Sequence, residues 1–220
     1  MSKLTRRQLL DGALTLGLTA AALSSGLLPG AALAQGTKID PAKLLEPGPI
    51  PDRVLGSADA PVTVIEYASL TCSHCAHFAT TTFPEIKKKY IDTGKVRYIL
   101  REFPLDPVAA AAFMLSRCAP EDKYYDVVDL FFEKQNDWAF TNRPLDSLNA
   151  MAKQIGFSQP EFEACLSNQS LLDGVNAVKD RGNKQFGVNA TPTFFINGEL
   201  ARGAISMDEF EKIVEPMLKG

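Results

Sequence analysis

Val62-Thr63-Val64-Ile65-Glu66-Tyr67 is a run of β-branched, apolar and aromatic residues, and Cys72-Ser73-His74-Cys75 follows it after four residues. The first run predicts a buried strand. From the second run onward, side chains recur at the spacing of a helix with a kink at Pro84, namely at Cys75, Phe78, Thr82, Ile86 and Tyr90. The two cysteines are therefore expected between the end of a strand and the N-terminus of a helix.

A second strand is predicted over residues 95–103, where Val96, Tyr98 and Leu100 lie at alternate positions. Because a helix connects it to the first strand, the two strands should be parallel and joined by a right-handed crossover. From Asp106 to about Asn168 the periodicity is helical throughout.

The C-terminal part of the sequence predicts a hairpin between two helices. One helix is expected from Leu171 toward Phe186, and a closing helix over Met207–Leu218 begins with the capping-box spacing of Ser206 and Glu209. Asn197-Gly198, between two short apolar runs, predicts a tight β-hairpin.

Without the helical stretch, the order of elements is β-α-β and then α-β-β-α, with Thr191-Pro192 just before the hairpin. This order resembles the thioredoxin fold, and the helical stretch makes the mature chain similar to the DsbA family of exported thiol–disulfide oxidoreductases. The resemblance implies an α/β protein: a thioredoxin fold with an all-helical insertion between the second strand and a cis-proline hairpin. The expected division is an export signal (1–34), a linker or arm rich in Pro and Gly (35–59), a thioredoxin-like domain (60–105 and 169–220) and the helical insertion (106–168).

The export signal is predicted from three positive charges within residues 1–10, the uncharged stretch Gly12–Leu28 and the small-x-small pattern of Ala32-Leu33-Ala34. Residues 5–10 resemble a twin-arginine signal, but Asp11 departs from that pattern, so both the twin-arginine and the general secretory routes stay open. We expect cleavage before Gln35 and a periplasmic protein; an uncleaved signal would act as a membrane anchor.

The composition is that of a globular protein. The chain has 220 residues, of which 45% are hydrophobic and 22% charged, and its net charge is −3. A slightly acidic chain argues against sequence-independent nucleic-acid binding, which requires a basic surface. No cofactor is expected.

The Cys-x-x-Cys motif at a helix N-terminus predicts redox chemistry. The unpaired N–H groups and the helix dipole favour a thiolate at Cys72, and Cys75 is placed one turn later to attack a mixed disulfide formed at Cys72. Ser73 and His74 are expected to tune the pair.

The resemblance implies three supporting residues. An acid at the position of Glu66 lies behind the active site in the family and helps to move the proton of the second cysteine; its apolar neighbours also favour a buried Glu66 with a raised pKa. Thr191 and Pro192 match the cis-proline loop, which lies against the disulfide and offers backbone hydrogen bonds to a bound peptide. Threonine before this proline is also seen in isomerase relatives, so the oxidase and isomerase activities both stay open.

Cys118 and Cys165 lie at the ends of two predicted helices of the insertion. For an exported chain the expected arrangement is a structural disulfide between them. A second redox pair, a regulatory disulfide or two unpaired buried thiols are the alternatives.

The function expected from this sequence is that of an exported thiol–disulfide oxidoreductase, which introduces disulfides into secreted or periplasmic proteins by exchange at Cys72–Cys75. Its partners would be the thiols of unfolded or partly folded exported proteins and a membrane protein that reoxidises it, and we expect a monomer. The alternatives are a disulfide isomerase or reductase on the same fold, a copper- or zinc-binding protein that uses the two cysteines with His74 and His77, and a non-catalytic chaperone-like module. No metal site is expected, because these four side chains would crowd onto barely two helical turns.

Overall fold

The computed structural model describes residues 38–219. The expected export signal over residues 1–34 lies outside the described residues. Within the described part of the chain, no helix is both long and apolar enough to cross a lipid bilayer.

The core of the fold is a five-stranded sheet with the strand order β1-β3-β2-β4-β5. Strand β2 is parallel to β3, as the β-α-β pattern predicts, and every other pair in this sheet is antiparallel. The strands are β1 (Arg53–Leu55), β2 (Val62–Ala68), β3 (Val96–Glu102), β4 (Thr193–Ile196) and β5 (Glu199–Arg202).

Helices cover the sheet on both faces. Alternate residues of the central strands enter two separate apolar clusters, so that Val64 and Val96 pack on one face while Ile65 and Ile99 pack on the other. The α-helices are α1 (Pro41–Leu45), α2 (Ser73–Thr81), α3 (Phe83–Ile86), α4 (Pro107–Cys118), α5 (Tyr124–Glu133), α6 (Gln135–Trp138), α7 (Pro144–Gln154), α8 (Gln159–Leu166), α9 (Gln169–Phe186) and α10 (Met207–Leu218).

The helix after the two cysteines is divided, as Pro84 indicates. Helix α2 ends at Thr81, Pro84 lies in the first turn of α3, and a π-helical turn continues over Lys87–Ile91. Proline is tolerated in a first turn because the N–H that it lacks would have no partner there.

The hairpin between β4 and β5 has the predicted turn. Asn197 and Gly198 have φ angles of 45° and 88°, which a two-residue hairpin loop of this type requires. The closing helix α10 begins at Ser206 with the predicted capping box to Glu209.

The segment predicted to be a linker or arm (35–59) contains regular secondary structure in its described part. This segment contains helix α1 and the edge strand β1, which pairs with β3. The buried guanidinium of Arg101 orders it by donating to both carboxylate oxygens of Asp52 (2.9 and 2.8 Å) and to the carbonyl of Leu44 (2.8 Å). These long-range bonds compensate for a local sequence rich in proline.

Cys118, the last residue of α4, and Cys165 in α8 are joined by a disulfide in the structure, with an S–S distance of 2.11 Å. The bond connects two helices of the insertion. That it serves stability and not redox chemistry stays a prediction.

Helix α9 packs closely on the sheet because Gly182 lacks a side chain: a Cβ atom there would lie 2.6 Å from Cε1 of Tyr67. We expect Gly182→Ala to lower the free energy of unfolding by about 1–2 kcal/mol, because overpacking outweighs the better helix propensity of alanine. Urea unfolding measures the loss. Asn176→Ala, at an exposed position of the same helix, is the control and should change stability by less than about 0.5 kcal/mol; equal stability of the two variants would contradict this packing argument.

Candidate active site

Cys72 lies directly at the N-terminus of helix α2. It has extended backbone angles and serves as the N-cap, with its sulfur accepting a hydrogen bond from the backbone N–H of Cys75 (N–S 3.4 Å). The side chain is 8% exposed, whereas Cys75, one turn later, is fully buried. Both cysteines are free thiols in this structure. The sulfur that reaches solvent is thus the one that faces the unpaired N–H groups of the helix.

The surroundings of Cys72 stabilise its thiolate. A hydrogen bond from the Cys75 thiol lowers the pKa of Cys72 most, and burial acts in the opposite direction. Thr191 and the backbone N–H groups of Cys75 and His74 lower it further, so that the pKa of Cys72 falls from 9.0 to about 5. Cys72 is therefore ionised at neutral pH.

Cys75 has the opposite electrostatic environment. Burial, the hydrogen bond to Cys72 and the charge of Glu66 raise the pKa of the Cys75 thiol far above its ordinary range. A thiolate at Cys75 is consequently unfavourable unless a neighbouring group takes up or supplies the proton.

Glu66 is buried, with 2% of its surface exposed, and it interacts electrostatically with both cysteines. Burial raises the pKa of its carboxyl from 4.5 to about 8, a hydrogen bond from Tyr98 lowers it, and the charge of Cys72 raises it again. An acid with a pKa near neutrality is suited to exchange protons with a neighbouring group.

The loop before β4 faces the pair from the other side. The Thr191–Pro192 peptide bond is cis, and the sulfur of Cys72 lies 3.4 Å from the carbonyl oxygen of Thr191. Pro192 is buried and Thr191 is half-buried. The structure thus brings together both residues of this loop with Cys72, Cys75 and Glu66.

The side chains of Ser73, His74 and His77 are exposed on α2. His74 contributes its backbone N–H to the Cys72 site. Within residues 38–219, no three or more His, Cys, Asp or Glu side chains are grouped so that they could hold a metal ion.

Two residues of the insertion contact the active-site loop, and the sequence analysis did not assign them a role. Gln135 is buried and its amide nitrogen donates to the carbonyls of Leu70 (2.8 Å) and Cys72 (3.1 Å). Asp106 accepts a hydrogen bond from the hydroxyl of Thr71 (2.5 Å). The sequence does contain one indication of this role. Gln135 is a polar residue that continues the row of apolar positions on helix α5.

A largely apolar groove of about 420 Å³, with Arg143 and Asp146 also in its lining, lies between the start of α4 and the start of α7. Its lining includes Val108 and Leu145, and Leu105 and Phe140 are exposed in the segments that lead to it. The segment before α4 is hydrogen-bonded through Asp106 to the active-site loop, which comprises residues 70–72. The segment before α7 is hydrogen-bonded to the same loop through Gln135.

Comparisons with known proteins agree with this geometry. The family model described as thioredoxin matches residues 50–216. A relative from Rickettsia felis, named "Putative protein-disulfide oxidoreductase", is 34% identical over 174 residues, which are 76% of this chain and 60% of that protein. The chain thus spans less than two thirds of the length of this relative.

Two further relatives are covered more fully. Disulfide bond formation protein D of Bacillus subtilis is 30% identical over 172 residues, which cover 76% of this chain and 77% of that protein. The crystal structure of alpha-DsbA1 from Wolbachia pipientis matches with a TM-score of 0.75 and 34% identity, covering 82% of this chain and 96% of that one. The chain belongs to the thioredoxin family and, within it, to the DsbA-like proteins.

Proposed function

We propose that this protein is an exported disulfide oxidase that donates the Cys72–Cys75 disulfide to the thiols of unfolded proteins. The observation that carries the proposal is the stabilisation of the Cys72 thiolate by the N-terminus of α2 and by Cys75. Stabilising this thiolate stabilises the reduced pair, and a pair that is stable when reduced has an oxidising disulfide.

The reaction consists of two exchanges. A substrate thiolate attacks the sulfur of Cys72, the Cys72–Cys75 bond breaks, and Cys75 leaves with the electron pair. A second substrate thiolate then attacks the substrate sulfur of the mixed disulfide, and Cys72 leaves as a thiolate. Two substrate thiols are thereby oxidised to a disulfide, and the pair is reduced by two electrons.

Glu66 supplies the proton for the first exchange. The leaving Cys75 is buried and does not remain charged, and burial raises the pKa of Glu66, which favours a protonated carboxyl. A protonated, buried acid beside the leaving sulfur therefore acts as its proton donor.

The substrates are extended, incompletely folded chains. The backbone of Thr191, whose carbonyl lies beside the Cys72 sulfur, is placed to bind an extended peptide, and the groove between α4 and α7 is suited to its apolar side chains. Such side chains are exposed in a polypeptide only before it has folded, which favours unfolded substrates over native ones.

The pattern of residues 1–34 and the DsbA-like family support export to the periplasm and reoxidation by a membrane partner. Structural roles of Cys118 and Cys165 and a monomeric state belong to the same proposal. The specific observation in favour of an isomerase is the threonine at position 191, beside Cys72.

Equilibration with glutathione distinguishes oxidase from isomerase. We expect the potential of Cys72–Cys75 to be more positive than that of thioredoxin, about −270 mV, because the Cys72 thiolate is stabilised. Quantified alkylation of the pair measures it. A potential near that of thioredoxin, with faster recovery of a scrambled substrate than of a reduced one, would make the protein an isomerase or reductase.

Cys72→Ser should abolish exchange; full activity in this variant would rule out the enzyme altogether.

The acidity of Cys72 predicts a pH profile for alkylation of the reduced protein. The rate at Cys72 should rise with a midpoint near pH 5, whereas a free cysteine has a pKa of about 8.5. Iodoacetamide labelling followed by mass mapping measures the rate at each cysteine. Cys75→Ala, which removes the largest stabilising hydrogen bond, should raise the midpoint; a midpoint near 8.5 in the unmodified protein would contradict the proposed site.

The lowered pKa of Cys72 also determines how the stability of the reduced protein changes with pH. Because the thiolate is favoured in the folded reduced protein, its contribution is complete above the pKa of the unfolded thiol and is lost as the pH falls through about 5. The reduced protein should therefore gain stability over the oxidised protein as the pH rises from about 5 to about 8.5.

The groove predicts a change in substrate affinity. Leu145→Ser should raise KM for an apolar cysteine peptide about fivefold to tenfold, because the peptide loses part of its apolar burial. The rate of oxidation of glutathione itself should not change, since so small a thiol does not fill the groove. Leu45→Ser alters an exposed leucine of α1 outside the groove and is the matched control. Equal KM values for both variants would exclude the groove as a binding site.

A further inference from the structure

Glu66 must alternate between carboxyl and carboxylate in any exchange that moves the Cys75 proton. Within residues 38–219 the hydroxyl of Tyr98 is the one side-chain group that hydrogen-bonds to its carboxyl, and it donates to Oε2. Both side chains are nearly fully buried, with 2% and 3% of their surfaces exposed. The contact therefore lies away from bulk water.

The parallel register of the central strands produces the contact. Tyr98 of β3 is paired with Val64, two residues before Glu66, so the two side chains lie on the same face of adjacent strands. The Tyr98 ring is held by Phe83 and Tyr125, whose ring centroids lie 4.7 and 6.0 Å away. The hydroxyl is therefore fixed toward Glu66 by packing.

We propose that Tyr98 is a positioning residue that holds the Glu66 carboxylate and sets the pH range in which Glu66 accepts the proton of Cys75. This inference rests on the proposed function, since it concerns the same exchange. A hydroxyl that donates to a carboxylate favours the charged form, and here it opposes both the burial of Glu66 and the negative charge of Cys72.

The other ionisable groups that face the pair come from helices α2 and α5. Cys72 and Cys75 interact with Glu66 through their charges. From α5, the charge of Asp129 disfavours ionisation of both Glu66 and Tyr98, and Tyr125 adds to this at Tyr98. A substitution at Tyr98 leaves all of these groups in place, so a change in pH dependence reports the lost hydroxyl.

Reoxidation of the reduced protein by oxidised glutathione isolates the step in which Cys75 loses its proton. The Cys72 thiolate attacks the glutathione disulfide, which gives a Cys72–glutathione mixed disulfide and one glutathione thiolate. The Glu66 carboxylate then takes the proton of Cys75, the Cys75 thiolate attacks the Cys72 sulfur, and the second glutathione leaves as a thiolate. The pair loses two electrons and the glutathione disulfide gains them.

At saturating oxidised glutathione the second, intramolecular step limits the rate, and acid quenching with mass spectrometry follows the mixed disulfide. We expect its rate to rise with pH in the unmodified protein, with a midpoint above the ordinary pKa of a carboxyl because Glu66 is buried, and below about 8 because the mixed disulfide lacks the Cys72 charge that raises the pKa of Glu66 in the reduced protein. In Tyr98→Phe the midpoint should move upward by about one pH unit, so that the rate well below the midpoint falls about tenfold.

Three comparisons separate this role from a structural one. Tyr125→Phe is the matched control, because the Tyr125 hydroxyl bonds to the backbone at Leu100 and Arg53 and not to Glu66; its midpoint should stay near that of the unmodified protein. Glu66→Gln should be slow and show no midpoint in this range, and adding Tyr98→Phe to it should change nothing further. Replacing Tyr98 by 3-fluorotyrosine, a stronger donor of similar size, should move the midpoint downward.

An unchanged midpoint in Tyr98→Phe, or an equal shift in Tyr125→Phe, would overturn the proposal. If Tyr98→Phe does not fold, the 3-fluorotyrosine protein decides in the same way by the direction of its shift. Failure of this inference is distinguishable from failure of the oxidase proposal, which is tested separately: an equilibrium potential with glutathione near that of thioredoxin would contradict the oxidase proposal and leave the Tyr98 measurements unaffected.

Discussion

The start of helix α2 imposes the constraint on which this protein depends. There the sulfur of Cys72 accepts an N–H of its own helix, while Cys75 is packed one turn deeper, away from water. A helix N-terminus favours negative charge and an apolar interior disfavours it. Two chemically identical thiols, three residues apart, therefore differ in which of them carries charge, and this difference gives the exchange its direction.

The rest of the fold holds that helix start in place. The active-site loop is bound by Asp106 from the beginning of the insertion, by Gln135 from its middle and by the Thr191 loop from the C-terminal half. These segments are distant in sequence and converge at the end of strand β2. The helical insertion is thus part of the active site and not only an appended layer, because one of its side chains fixes the carbonyl of Cys72 itself.

The sequence predicts those parts of the fold that local interactions determine. The parallel strands, the Asn197-Gly198 turn and the capping box at Ser206 are each determined within a few residues, and all three are confirmed. The edge strand β1 was missed because its order comes from the Arg101–Asp52 ion pair, between residues 49 positions apart. At Tyr98 the sequence predicts only a strand, because its hydroxyl bonds across the sheet to a residue 32 positions away.

Cys72 and Glu66 have pKa values shifted in opposite directions, to about 5 and about 8. Between these values the reduced site holds a thiolate at the surface and a neutral acid in the interior, so it carries one negative charge instead of two. Two buried charges of the same sign would repel each other strongly in a medium of low dielectric constant. Burial favours the same neutral carboxyl in the oxidised protein, so that in the proposed exchange Glu66 supplies the proton that Cys75 needs when the disulfide opens. The hydroxyl of Tyr98 donates to this carboxyl.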